Sequence, residues 1–467
     1  MVNNDKAKTL GELKSENYQI LSIREEMRFN LVKALRDGSN LFPGIIGYDE
    51  TVIPQIQNAI LAGQDIILLG ERGQAKTRII RSLTSLLNEW TPILAHTDIP
   101  ENPYAPVTAQ GKQLLEKYGD NAEIKWLHRD ERFGEKLATP DITIADLIGE
   151  VDPIKIAEGK YLSDELTLHY GLVPKTNRGI FAINELPDLS ERIQVGLLNL
   201  MEERDIQIRG HKVRLDLDML VVATANPEDY TNRGRIITPL KDRYGAQIRT
   251  HYPKDIEQEI SVMESEMQGM VLEGFSLNVP AYMKEIIARI SFLARESPEI
   301  NQRSGVSVRT SISNYESMVA NALRRTIRLG ETEIVPRISD LPFVMPALLG
   351  KLEFEVLDEG QEEEVVADLI ENSIDAVFKN YFVPEDLKSI SDAFHEDFTM
   401  DVGEAMHSGF YQEALTQVEG LNAAVARIAQ SASSNETAAA IEFILEGLHL
   451  NQQLNKDQLM GTATFHA

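Results

Sequence analysis

Between positions 65 and 77 the chain reads Asp65-Ile66-Ile67-Leu68-Leu69-Gly70-Glu71-Arg72-Gly73-Gln74-Ala75-Lys76-Thr77. Four apolar residues between Asp65 and Gly70 predict a short buried strand, and Ile79, Ile80, Leu83, Leu86 and Leu87 follow at helical spacing. Strand, glycine-containing loop and helix in that order make a phosphate cradle. Loop N–H groups point at the anion, the helix N-terminus adds partial positive charge, Lys76 reaches the β- and γ-phosphates, and Thr77 offers a hydroxyl to Mg²⁺. The candidate binding set is Gly70, Glu71, Arg72, Gly73, Gln74, Ala75, Lys76 and Thr77. Ala75 stands where the usual pattern has glycine. Right-handed helical geometry there would tolerate its methyl group, leaving Gly70 and Gly73 to make the turn. A plain turn between any strand and helix is the competing reading, and the flanking elements weigh against it.

A chain of 467 residues is too long for one core and suggests roughly three units. No apolar run approaches the ~20 residues that span a bilayer. Met1 to Lys6 shows no apolar stretch behind a basic flank, so no secretory signal is expected. Cysteine is absent, which excludes disulfides, thiolate metal sites and cysteine nucleophiles. The expectation is a soluble cytoplasmic protein without a membrane span. The net charge is −27, of which residues 350–467, with 23 acidic and 5 basic side chains, carry −18. Such a balance argues against nucleic acid and anionic membranes as partners of that part. A solvated helical surface accounts for it more simply than a docking face for a basic partner.

Ahead of the phosphate loop, Ile20, Ile23, Met27, Leu31 and Leu35 predict helix, ended by Asp37-Gly38-Ser39-Asn40. Beyond it, Thr91 to His96 is a candidate strand. Residues 97–140 read as a polar, irregular insertion, and ion pairing on a surface outweighs catalysis for His128-Arg129-Asp130-Glu131-Arg132. Ile180-Phe181-Ala182-Ile183-Asn184-Glu185 is a buried strand with two polar residues at its tip. Glu185 is the candidate for polarising an attacking water. Asn184 stands where an aspartate usually orients the Mg²⁺ hydration shell; an amide adds no negative charge, so metal affinity should be lower. Period-two alternation around Gly210-His211 predicts a hairpin over Asp205 to Leu217. Met219 to Ala225 is a further buried strand, whose tip residue Asn226 can hydrogen-bond a phosphate or the lytic water. Arg233, Arg235 and Arg243 follow closely and suggest charge stabilisation of phosphoryl transfer. Past His251 the β pattern fades into helices, including Tyr282 to Arg295 and Ser307 to Arg328. Arg309 at the start of the second suggests an anionic ligand.

In this order the pieces resemble the AAA+ ATPases of the magnesium-chelatase I-subunit and MoxR branch, over about residues 41–345. The most specific matches are Gly70 to Thr77, Ile183-Asn184-Glu185 and Ala225-Asn226-Pro227; Pro239 to Gly245, Val308-Arg309 and Asp141 to Asp152 add to them. The resemblance implies that Lys76 and Thr77 hold phosphate and Mg²⁺, with Asn184 meeting the metal through water. It implies that Glu185 activates water, Asn226 is the first sensor, Arg243 is a finger reaching a neighbouring subunit's nucleotide, and Arg309 is the second sensor. It also implies a ring, with a hexamer as the expected form, and a von Willebrand factor type A partner.

The expected fold is α/β: an AAA+ P-loop core with a parallel sheet, a helical lid and an additional acidic helical C-terminal domain. The expected domains are an N-terminal helical segment (1–40), the nucleotide-binding core (41–252), the lid (253–349) and the acidic domain (350–467). The expected function is Mg²⁺-dependent ATP hydrolysis by a ring motor that remodels a partner protein or drives metal insertion. A nucleotide-gated scaffold with little ATPase activity is the alternative. An enhancer-binding transcriptional activator ranks third, because neither end shows a helix pair with a basic face.

Overall fold

The computed structural model describes residues 6–151, 168–202, 205–208, 211–226, 235–267, 273–302, 305–355, 360–394, 398–429, 431, 433–459 and 462–467. They divide into two compact units, Met1–His251 and Tyr252–Ala467.

The first unit is built on a five-stranded sheet: β1 (Ile66–Leu69), β2 (Phe133–Leu137), β3 (Gly179–Asn184), β4 (Met219–Ala225) and β5 (Ala246–Arg249). The order is β5-β1-β4-β3-β2, and every neighbouring pair is parallel. Successive side chains leave opposite faces of a strand. Thus Ile67, Phe181, Ile183, Val221 and Ala223 enter one core, while Ile66, Leu68, Ile180, Ala182, Leu220 and Val222 enter another. Burial on both faces is why these strands read as unbroken apolar runs. Since all five run the same way, Gly70, Asn184, Asn226 and Thr250 come to lie along one edge, at the strand C-termini.

Helix Ile23–Asp37 begins at a reciprocal cap, in which Ser22 Oγ accepts from Glu25 N and Ser22 N donates to Glu25 Oε2, and ends at Gly38 in left-handed geometry. Ile23, Met27 and Leu31 on its inner face join the second core, whereas Leu35 is exposed. Asp65, just ahead of β1, accepts from Arg24 Nη2 at 2.9 and 3.0 Å and from Val221 N at 2.9 Å, tying helix and sheet together.

Residues 97–140 are more regular than their polarity suggests. They contain helix Ala109–Tyr118, strand Ile124–His128 and β2, the edge strand of the central sheet. The strand expected at Thr91 to His96 spans Trp90–Leu94 and pairs antiparallel with Ile124–His128, outside the central sheet. The basic cluster differs too. Arg132 is fully buried, with Nη1 and Nη2 each 2.7 Å from the Glu26 carboxylate and Nε donating to Arg178 O. Its partner lies 106 residues away, which no local pattern discloses. The expected hairpin is present as strands Asp205–Ile208 and His211–Arg214.

The second unit is mainly helical. Helices Ala281–Glu296 and Val308–Leu329, the latter capped by Ser307, agree with the expected spans. Tyr282 stacks on Phe443 with centroids 4.4 Å apart, joining the first of these to the long helix Ser434–Leu450. The β pattern does not end at His251. Met400–Gly403, Asn455–Leu459 and Thr462–His466 form a three-stranded antiparallel sheet inside the acidic region.

Candidate functional site

The loop after β1 leaves the sheet between β4 and β5. Gly73 has φ +76°, a left-handed turn that glycine adopts without strain. Ala75 is left-handed as well, at φ +53° and ψ +13°, so the helix Lys76–Ser82 starts one residue later than the right-handed reading assumed. Gly70 turns nothing; its role is space. A Cβ there would lie 1.9 Å from Thr250 Oγ1 and 2.2 Å from Gln74 Oε1, a pair joined by a 2.7 Å hydrogen bond. The Tyr48 hydroxyl lies 2.6 Å from His251 O and 3.1 Å from Gln74 O, fastening the loop from outside. Burial pushes the Tyr48 phenol up to about 12, so it remains a donor at neutral pH. Beside the loop is a cavity of about 450 Å³ lined by Leu69, Gly70, Glu71, Gln74, Lys241, Arg249 and Thr250.

Three of the expected site residues meet. Buried Lys76 donates from Nζ to Asn226 Oδ1 at 2.7 Å, to Glu71 O at 2.8 Å and to Gly70 O. Asn226 Nδ2 donates to Glu185 Oε2 at 2.7 Å. A cation on one side and a carboxylate on the other fix the Asn226 amide, oxygen toward Lys76 and nitrogen toward Glu185. Glu185 is held at φ +56°, ψ +48°, a region costly for a side chain with a Cβ, and its N–H donates to Thr224 Oγ1 at 3.0 Å. Backbone outliers of this kind concentrate at functional sites.

Asn184, also buried, turns away from that trio. Its Nδ2 donates to Glu135 Oε1 on β2 at 2.6 Å, and its Oδ1 lies 3.4 Å from Thr224 Oγ1. Glu135 Oε2 in turn accepts from Arg81 Nε at 2.8 Å. Glu135 and Thr224 were not singled out from sequence. Thr224 lies within an apolar run, and Glu135 belongs to a short edge strand whose charges hide its β character. Thr77 is half-buried in the first turn of the helix, with Glu71 half-buried and Arg72 exposed in the loop.

Arg243 is exposed at the end of helix Thr238–Arg243, and Arg235 is exposed ahead of it. Arg233, Pro227 and Asp152 fall outside the described residues. Arg309 belongs to the second unit, exposed at its helix start, where its N–H donates to Ser307 Oγ at 3.1 Å.

The residues present fit a Mg²⁺-bound triphosphate. Gly70 lets the Thr250–Gln74 pair close up behind the loop, Gly73 and Ala75 lead into a helix N-terminus, and the Lys76 ammonium is buried beside them. Thr77 in the first turn of the helix, and Asn184 at the tip of β3 with Glu135 of β2 beside it, offer hard oxygen donors of the kind Mg²⁺ selects.

The chain is similar to several known proteins. A sequence profile for the Sigma-54 interaction domain matches residues 157–241. Magnesium-chelatase subunit ChlI of Nostoc sp. is 26% identical over 259 residues, covering 52% of this chain and 61% of that protein. Magnesium-chelatase subunit ChlI-2, chloroplastic, of Arabidopsis thaliana is 25% identical over 233 residues, covering 48% and 51%. The chain therefore spans only about half to three-fifths of these relatives' length. A solved structure of the complex between subunits BchI and BchD of magnesium chelatase aligns with 70% of this chain and 98% of its own, at 17% identity and a TM-score of 0.34.

Proposed function

We propose that this chain, an AAA+ protein of the magnesium-chelatase I-subunit type, hydrolyses ATP in a ring and uses the cycle to remodel a partner protein or drive metal insertion. The observation that carries the reading is the hydrogen-bonded series Lys76–Asn226–Glu185 beneath a phosphate-shaped loop. Lys76 brings positive charge to the β- and γ-phosphates, and the loop N–H groups that follow Gly70, whose own N–H donates to Ala225 O, hold their oxygens. Thr77, and Asn184 through water, would hold Mg²⁺, which would supply positive charge against that developing on the phosphoryl oxygens. Glu185 orients and polarises the attacking water. Asn226 couples that carboxylate to Lys76, so the presence of phosphate at the lysine is felt at the base. Arg243, exposed on its helix, acts as the finger on a neighbouring copy's nucleotide, and Arg309 takes the second-sensor role. The assembly assigned is a hexamer, with a von Willebrand factor type A protein as partner. A scaffold that binds ATP and turns it over slowly is the second reading, favoured by the neutral amide at Asn184.

Glu185→Gln is expected to retain ATP and lose turnover by about 100-fold or more, as for removal of a positioned base. Unchanged phosphate release would refute the assignment. Arg243→Ala should spare ATP binding and cripple hydrolysis. Mixing it with Lys76→Ala chains should restore part of the activity, and no rescue would count against a shared site. Robust Mg²⁺-dependent turnover by the wild-type chain would exclude the scaffold.

A further inference from the structure

The amide at Asn184 leaves this site without the carboxylate expected beside the metal, yet a carboxylate lies one strand away. Leu137 of β2 is in register with Asn184 of β3, and Glu135, two residues back, carries its side chain to the same place. Glu135 Oε1 accepts from Asn184 Nδ2 at 2.6 Å. Its other oxygen reaches the helix of the phosphate loop at Arg81 Nε, 2.8 Å away. Arg81 follows Thr77 by four residues, so both lie on one helix face about 5–6 Å apart. The Glu135 carboxylate is thus enclosed between the tip of β3 and the helix face that carries Thr77. Its side chain is 20% exposed and that of Arg81 is 64% exposed, so the bond to arginine is a surface ion pair, weakly held and readily given up.

We infer that Glu135 supplies the negative charge for Mg²⁺ that Asn184 lacks, as a carboxylate in the outer hydration shell of the ion, with the Asn184 amide holding it in place. The carboxylate for the metal stands on β2, one strand from the amide at the tip of β3. Hydrated Mg²⁺ suits such a site, since it keeps several waters and takes its charge compensation through them. Arg81 is then a competitor for Glu135, and its release accompanies metal entry. This rests on the ATP–Mg²⁺ reading above and argues, within it, for a motor over a slow scaffold.

The test is binding of a fluorescent ATP analogue to the full chain, first in EDTA and then across a Mg²⁺ titration. Glu135→Gln keeps an acceptor for Asn184 and removes the charge. It should leave affinity in EDTA unchanged and raise the Mg²⁺ midpoint about 10- to 100-fold, the range for loss of an outer-shell partner. Arg81→Ala should shift the midpoint the other way. Glu135→Gln combined with Asn184→Asp should bring it back toward the wild-type value. A midpoint for Glu135→Gln within twofold of wild type would overturn the proposal. So would Arg81→Ala reproducing the Glu135→Gln shift, since the glutamate would then act only by tethering arginine, or a double variant no better than the single one. Should Glu135→Gln fold poorly, Glu135→Asp retains the charge and should keep the midpoint within a few-fold of wild type; a shift as large as full charge loss would overturn the proposal equally. Wild-type protein that binds no analogue in either condition would bring down the ATP reading itself, whereas normal Mg²⁺-dependent tightening with no effect of Glu135 would bring down this inference alone.

Discussion

The strand ends of the first unit and the Arg325–Asp340 core of the second hold charge differently, although the first unit also buries the direct pair Arg132–Glu26 away from its site. At the strand ends of the first, neutral amides stand between the charged groups: Asn226 between Lys76 and Glu185, and Asn184 beside Glu135. In the second, charges meet inside the packing. Arg325 Nη2 lies 2.9 Å from Asp340 Oδ2 and also donates to Val335 O, while Asp340 accepts from Arg337 N at 2.8 Å. Arg325, Arg337 and Asp340 have no exposed side-chain surface. Burial alone would push the Arg325 guanidinium down, but Asp340, Glu442 and Glu331 together lift it above its ordinary value. An amide can exchange one partner for another without stranding a charge, whereas a sealed ion pair cannot. The first arrangement suits a site where phosphate and metal come and go, and the second suits a core that must hold still.

The sharpest way to break that contrast is Asp340→Ala, which removes the carboxylate hydrogen-bonded to buried Arg325 and leaves Glu331 3.9 Å from its Nη1. It should cost about 3–5 kcal/mol, the range for removing one partner of a buried pair. Hydrogen exchange along helix Val308–Leu329 would read the loss, and protection within about 1 kcal/mol of wild type would mean that the pair is not the lock described. Asn226→Ala should cost less, about 1–3 kcal/mol, because it strands hydrogen-bonding groups and no sealed ion pair. Trp90 and Trp126, the chain's two tryptophans, both lie in the first unit, so their fluorescence in urea follows this variant. A loss as large as that of Asp340→Ala would erase the distinction between the strand-end site and that core.

The same division runs through what the sequence discloses. β1, β3 and β4 are inner strands buried on both faces, and each is an apolar run with a polar tip, so both the strands and the residues at their ends could be named in advance. β2 and β5 are edge strands, Phe133-Gly134-Glu135-Lys136-Leu137 and Ala246-Gln247-Ile248-Arg249, and charge of the kind that protects an edge also masks its β character. Glu135 went unseen with its strand. The C-terminal strand Asn455–Leu459 is a charged edge of the same kind, whereas Thr462–His466 lies between it and Met400–Gly403 and is hidden by its small and polar residues. Arg132 read as a surface residue because its partner Glu26 is remote in sequence, and contact across that distance is a property of the fold alone. Lys76, Asn226 and Glu185 were legible separately; that they form one hydrogen-bonded series is not, since it depends on β4 lying between β1 and β3.

The smallest effect is also the one where sequence and structure disagree in sign. If Ala75 were right-handed and helical, Ala75→Gly would lower stability by about 0.5–1 kcal/mol through chain entropy. At φ +53° the alanine instead bears the cost of left-handed geometry, about 1–2 kcal/mol, which glycine escapes. Relief of that cost and the added entropy of the unfolded glycine oppose each other, so Ala75→Gly should be neutral to stabilising by about 1 kcal/mol. Gly73→Ala, at φ +76°, should run the opposite way and lose about 1 kcal/mol, the left-handed strain being only partly offset by the lower entropy of the unfolded alanine chain. Tryptophan fluorescence in urea compares the pair directly. If Ala75→Gly proves the more damaging of the two, the loop does not enter its helix through a left-handed residue, and the cradle at Lys76 must be drawn differently.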